Sequence, residues 1–119
     1  MAKATDDIYR IPAERNGHAP GILKDKNKRI VFLSGTRTPF GRVGGALKDI
    51  SPIDLGAHAA RAAIEQAGLA DRSEVIDCAV FGNAMHTSID SHYGARHVAL
   101  KAGCSYFSTA LTVNRICWS

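Results

Sequence analysis

Cysteine 117 is the residue in this 119-residue chain best placed for covalent chemistry. It closes the run 111–119, Leu-Thr-Val-Asn-Arg-Ile-Cys-Trp-Ser, which reads as a β-strand delivering a thiol to its C-terminal end. Strand ends of α/β folds open into the ligand crevice, so a thiol there can meet a substrate. A thiolate is a strong nucleophile, normally activated by a helix N-terminus or a neighbouring cation. The chain stops where such a helix begins. The other reading of Cys117 is a buried thiol at a strand end. Cys78, inside a second apolar run, and Cys104, past a helix end, read as buried inert thiols. His86, His92 and His97 stand six and five residues apart, which matches no zinc-helix pattern, and no CxxC pair accompanies them, so no metal is expected. His58 reads as a packed or surface histidine. The run Gly41-Arg42-Val43-Gly44-Gly45 lacks both GxGxxG and the Walker Lys-Ser/Thr, and reads as a turn.

The elements that must position these groups follow from the rest of the chain. With 45% hydrophobic and 22% charged residues the composition is that of a globular domain, and no apolar run approaches a membrane span. Of the net charge of +4, most belongs to residues 1–29, so the basicity does not argue for a nucleic-acid face. Three cysteines, an odd number, fit a reduced intracellular protein, and the expected location is cytoplasmic. Residues 1–28 read as a flexible N-terminal extension, rich in Pro, Gly and charge. They hold neither the apolar stretch of a signal peptide nor the acid-poor composition of a mitochondrial presequence.

Residues 29–119 read as a β-α-β-α-β unit with a parallel sheet, an α/β fold. Strands are expected at 30–33, 75–81 and 108–114, after Arg29, before Gly82 and before Arg115 respectively. A helix is expected from Ser51-Pro52-Ile53-Asp54 to Ala67, where Ser51 caps, Pro52 opens the first turn and Asp54 suits the dipole. Gly68 suits the left-handed stop. A second helix is expected over 91–102, closed by Gly103. Three strands in sequence order put both crossover helices on one face and leave the other bare, so the unit reads as incomplete.

Within this frame, Arg37-Thr38-Pro39-Phe40-Gly41 and Gly45-Ala46-Leu47 resemble the opening of a thiolase, an acetyl-CoA acetyltransferase or 3-ketoacyl-CoA thiolase. Phe81-Gly82-Asn83, then Gly94-Ala95-Arg96 with Ala99-Leu100-Lys101-Ala102-Gly103, resemble the family's second strand ending and second helix. Thr112-Val113-Asn114-Arg115-Ile116-Cys117 resembles the segment carrying its nucleophile. The resemblance implies that Cys117 attacks an acyl-CoA thioester and carries the acyl group. That group passes to a second acetyl-CoA by Claisen condensation, or to CoA in the degradative direction. It implies CoA thioesters as substrates with no permanently bound cofactor, and a homo-oligomer for the full-length parent. Two departures stand out. Trp118 occupies the place of a glycine, and an indole there crowds the approach to the thiol. The family's Gly-His-Pro histidine, asparagine loop and second cysteine are not among these residues, so the chain reads as the front part of a thiolase half-domain, truncated after its nucleophile.

Three functions therefore stay open: a thiolase-type acyltransferase, of which this chain is an inactive fragment; a non-catalytic α/β fragment or module that folds with a partner; and a small nucleotide- or phosphate-binding module built on the loop 35–45. Acyl chain length and reaction direction are not legible in these residues.

Overall fold

A computed structural model describes residues 31–119. The chain divides into two units, Met1–Val31 and Phe32–Ser119; the expected extension, 1–28, lies outside the described residues. The second unit carries helix α1 (Pro52–Gln66), strand β1 (Cys78–Gly82), helix α2 (Gly94–Ala102) and strand β2 (Thr109–Val113), with 3-10 turns at Ala70–Val75, Ile89–Tyr93 and Ile116–Trp118.

Local signals set the helices. Ser51, extended at φ −68° and ψ 150°, accepts a hydrogen bond from the Asp54 amide at 3.0 Å, while Pro52 occupies the first turn. Gly68 and Gly103, at φ 70° and 96°, take the left-handed conformation that lets the chain leave each helix without a Cβ clash. Helix α2 begins differently, since Tyr93 offers no side-chain cap. Thr112 of β2 supplies it instead: its Oγ1 accepts from the Ala95 amide at 3.0 Å.

Strands β1 and β2 pair in parallel, with Cys78 opposite Thr109, Val80 opposite Leu111 and Gly82 opposite Val113. Both strands alternate. Ala79, Phe81, Ala110 and Thr112 are shielded, while Cys78, Val80, Thr109 and Leu111 are exposed. The shielded face meets the helices. An added Cβ on Gly56 of α1 would lie 3.0 Å from the Phe81 ring, and one on Gly94 of α2 would lie 3.2 Å from Ile53. Small residues thus bring both helices against Phe81, and Ile53, Ala57, Ala95, Val98, Ala99 and Ala102 form the buried core. On the opposite face Val80 is 67% and Leu111 56% exposed, which is the one-sided α/β arrangement expected of an incomplete parallel sheet.

Three boundaries differ from expectation. Residues 31–33 of the expected first strand form no sheet pairing, and Ile30 lies outside the described residues. Phe32 and Leu33 are 99% and 68% exposed. The chain just after them is tied to α1, not to a strand: the Ser34 and Thr36 hydroxyls donate to the Ala63 and Ala59 carbonyls, each at 2.7 Å. Strand β1 starts at Cys78 and not at Val75, because its partner begins at Thr109, whose amide donates to Asp77 at 2.8 Å. The chain before Thr109 turns back on itself through Ser108 and Ser105, so no ladder partner exists further up. Residues 91–93 belong to a 3-10 turn, and the α-helix proper starts at Gly94.

Candidate active site

Cys117 lies four residues beyond the end of β2, in the Ile116–Trp118 turn, and not on the strand itself. Its thiol is free and exposed, so the buried-thiol reading does not hold. The ladder ends with the Asn83 amide donating to the Val113 carbonyl at 2.9 Å. The carboxamide of Asn114 then works at both ends: Nδ2 donates to the Ala84 carbonyl at 3.2 Å, and Oδ1 accepts from the Ile116 amide at 3.1 Å. The second bond is an Asx turn, a local closure open to Asn and Asp at a strand end. It holds Ile116 at φ 53°, the one non-glycine residue with positive φ among the described residues. A β-branched side chain in that region is a genuine outlier and costs of order 1–3 kcal/mol.

Beyond Ile116 the backbone folds over. Trp118 N donates to the Arg115 carbonyl and Ser119 N to Ile116, each at 3.1 Å, while Ser119 Oγ accepts from the Arg115 amide at 2.7 Å. Ser119 backbone sits against Gly82, where a Cβ would collide with it. The β1 end accommodates the Cys117 turn because position 82 has no side chain. Trp118, the next residue in the chain, is 92% exposed.

The remaining candidates fall elsewhere. Cys78 is exposed on the bare sheet face, which corrects its reading as a buried thiol; only the covered side of a strand shields its residues. Cys104 is half-buried, and desolvation pushes its thiol pKa up. His86 and His92 stack with ring centroids 5.6 Å apart, and among the described residues no cluster of three or more His, Cys, Asp or Glu can hold a metal. His58 lines an open cleft of about 290 Å³ with Asp54, Arg61 and Lys101. The charges there are already engaged: Lys101 Nζ meets Asp54 Oδ1 at 2.5 Å, and Arg61 donates to the Lys101 carbonyl. Residues 41–45 form a plain turn, with Gly45 N donating to Arg42 O at 2.9 Å. Among the described residues no helix is long and apolar enough to cross a membrane. The residues whose structural work was not read from the sequence are Asn114 and Gly82. An Asn followed two residues later by the start of a turn is the signal that marks the first; nothing local marks the second.

The described residues thus form a parallel α/β layer with a free, exposed cysteine in the turn past the end of β2. Comparison with known proteins narrows the class. The family described as "Thiolase, N-terminal domain" matches residues 30–119, and the chain belongs to the thiolase family. It is 42% identical over 90 residues to a mitochondrial 3-ketoacyl-CoA thiolase of Bos taurus, covering 76% of this chain and 22% of that protein. It is 38% identical over 92 residues to a beta-ketothiolase of Cupriavidus necator, covering 77% of this chain and 23% of that one. The crystal structure of human mitochondrial 3-ketoacyl-CoA thiolase in complex with CoA superposes with a TM-score of 0.69 at 41% identity, over 73% of this chain and 22% of the human one. The chain thus spans about a fifth of the length of the relatives it matches.

Proposed function

We propose that residues 29–119 are the nucleophile-bearing N-terminal portion of a thiolase-type acyltransferase, with Cys117 as the acyl acceptor. The observation that carries this reading is the free, exposed thiol in the turn past β2, in a chain of this family. In the reaction the Cys117 thiolate attacks the carbonyl carbon of an acyl-CoA. The carbon–sulfur bond to CoA breaks, CoA leaves as its thiolate, and the acyl group stays on Cys117 as a thioester. The acyl group then passes to the α-carbon of a second acetyl-CoA, which has lost a proton, and Cys117 is released. In the degradative direction of fatty acid metabolism the acyl group passes instead to CoA. The substrates are CoA thioesters, and the whole enzyme works without a permanently bound cofactor and as a homo-oligomer. A cytoplasmic location is proposed on cysteine usage alone; fractionation of cells tests it, since several relatives are named as mitochondrial.

These 119 residues alone are proposed to be inactive, because among the described residues the free Cys117 thiol has no hydrogen-bond partner to take its proton. Incubation with acetyl-CoA, followed by intact mass and digestion, tests the reading. No condensation product and at most a trace of acetyl adduct is expected. A stoichiometric adduct on Cys117, lost in Cys117→Ala, shows that the chain performs the first half-reaction alone and overturns the inactivity. A second reading, a non-catalytic α/β module completed by a partner, is favoured by the exposed Val80 and Leu111. Activity appearing only when the downstream part of a relative is added separates the two.

A further inference from the structure

We infer that Asn114 is the positioning residue for Cys117, a role that rests on the proposed nucleophile. Among the described residues the thiol has no hydrogen-bond partner of its own, so its place is set by the backbone that carries it. That backbone departs from β2 through a left-handed Ile116, a conformation that its β-branched side chain disfavours. Left to itself the segment relaxes out of it. The one side chain that bonds the Ile116 amide is Asn114, through Oδ1 at 3.1 Å. The same carboxamide reaches across 30 residues to the Ala84 carbonyl through Nδ2, at 3.2 Å. One planar group therefore does two tasks. Its acceptor closes the turn that aims Cys117, and its donor pins that turn to the loop leaving β1, beside Gly82 and the Ser119 backbone. Asp keeps the acceptor; Ala keeps neither; Gln carries the amide one carbon too far to close the same ring.

The test uses the full chain with Asn114→Ala and Asn114→Asp, and two readouts. The first is amide hydrogen exchange at Ile116 by NMR, with the Phe81 and Leu111 amides as folding controls. The second is the alkylation rate of Cys117 by iodoacetamide relative to exposed Cys78 in the same molecule. In Asn114→Ala the Ile116 amide is expected to exchange about fivefold faster, the factor one ordinary net hydrogen bond predicts, and the Cys117 to Cys78 ratio to move by about twofold or more. Asn114→Asp keeps the acceptor but not the donor to Ala84 and is expected to restore the Ile116 exchange, while the alkylation ratio, which its added charge also moves, is read in Asn114→Ala alone. A merely structural role moves the strand amides together with Ile116 and is not rescued by Asp. Unchanged readouts in Asn114→Ala overturn the inference, as does faster Ile116 exchange that Asp fails to restore. Should Asn114→Ala unfold, Asn114→Asp decides alone: Ile116 exchange as slow as in the parent is expected, and faster exchange in that variant is enough to sink the proposal. Failure of the acyl-transfer reading is seen separately, as no activity when the downstream part of a relative is added, and leaves both readouts intact.

Discussion

The two faces of the β1–β2 pair have nearly the same chemistry in sequence and opposite fates in the fold. On one side Ala79, Phe81, Ala110 and Thr112 lie under α1 and α2. On the other, Val80 and Leu111, directly paired, stand mostly in water. Alternation along a strand creates two faces; only packing makes one of them a core. The helix side achieves it with small residues. Gly56 and Gly94 let Phe81 come within contact of both helices, and Thr112 spends its hydroxyl on the first turn of α2. The other side offers apolar area and receives no layer among the described residues, so there half of what stabilises a parallel sheet is in place.

The comparison breaks first at Phe81. Phe81→Ala removes the ring that both helices touch and is expected to cost about 3 kcal/mol, whereas Val80→Ala on the bare face stays within about 0.5 kcal/mol. Urea unfolding monitored by circular dichroism, at a concentration where the chain is monomeric, measures both. Equal losses would mean that Val80 is covered in solution. The bare face itself is probed by Val80→Lys and Leu111→Lys together. Exposed apolar patches drive association, so the parent chain is expected to self-associate in a sedimentation experiment and the double variant to shift to smaller species. A parent that sediments as a monomer at every concentration removes the argument for an uncovered face.

How much of this was legible depended on whether a residue's structural role was local. Ser51, Pro52 and Asp54 mark the start of α1 and Gly68 its end within one turn of the chain, and the helix appears there. The α/β class and its bare face followed from the order of the elements alone. The failures have a common cause. Val31 to Leu33 has strand composition, yet pairing needs a neighbour, and the adjoining Ser34 and Thr36 bond to α1 instead. The start of β1 was placed too early because a ladder is as long as its shorter partner. Cys78 was misread because sequence does not say which face of a strand is covered. At the candidate site the thiol's motif was legible and the Asx turn carried a local signal in Asn114, but the bond that pins the turn was not legible, since Asn114 Nδ2 donates to Ala84, 30 positions away.

Cysteine reactivity sharpens the contrast between the faces at a smaller scale. Cys78 stands on the bare face, and Cys104 is half-buried with its pKa raised by desolvation. Less thiolate and less access act in the same direction. At pH 8, timed alkylation and peptide mapping are expected to label Cys104 about threefold or more slowly than Cys78. Equal rates would place Cys104 in water and loosen the helix-side packing that the comparison relies on.

The smallest effect concerns charge between the two helices. Lys101 of α2 reaches Asp54 of α1 at 2.5 Å, with both side chains about half exposed, and the contact looks like a clasp. Its pH signature is definite in sign. The Asp54 pKa is lowered from its ordinary 3.8, chiefly by the hydrogen bond from Lys101 and then by that from Ser51. A group whose folded pKa is depressed contributes stability above the unfolded value and loses it as pH falls through the folded one, here below about 3.8. The Lys101 pKa is raised above its ordinary 10.5, chiefly by the hydrogen bond to Asp54, so its contribution is complete below 10.5 and lost as pH rises beyond that. Between those limits the contribution is flat. It is also small, because exposed ion pairs are screened by water and salt and hold long side chains at an entropic cost. Asp54→Asn is therefore expected to leave the urea midpoint at pH 7 almost unchanged and to flatten only the acid limb below pH 4. Adding salt should mimic it. If Asp54→Asn weakens the chain at neutral pH as much as Phe81→Ala does, then charge, and not the close approach of Gly56 and Gly94 to Phe81, holds the helix layer together.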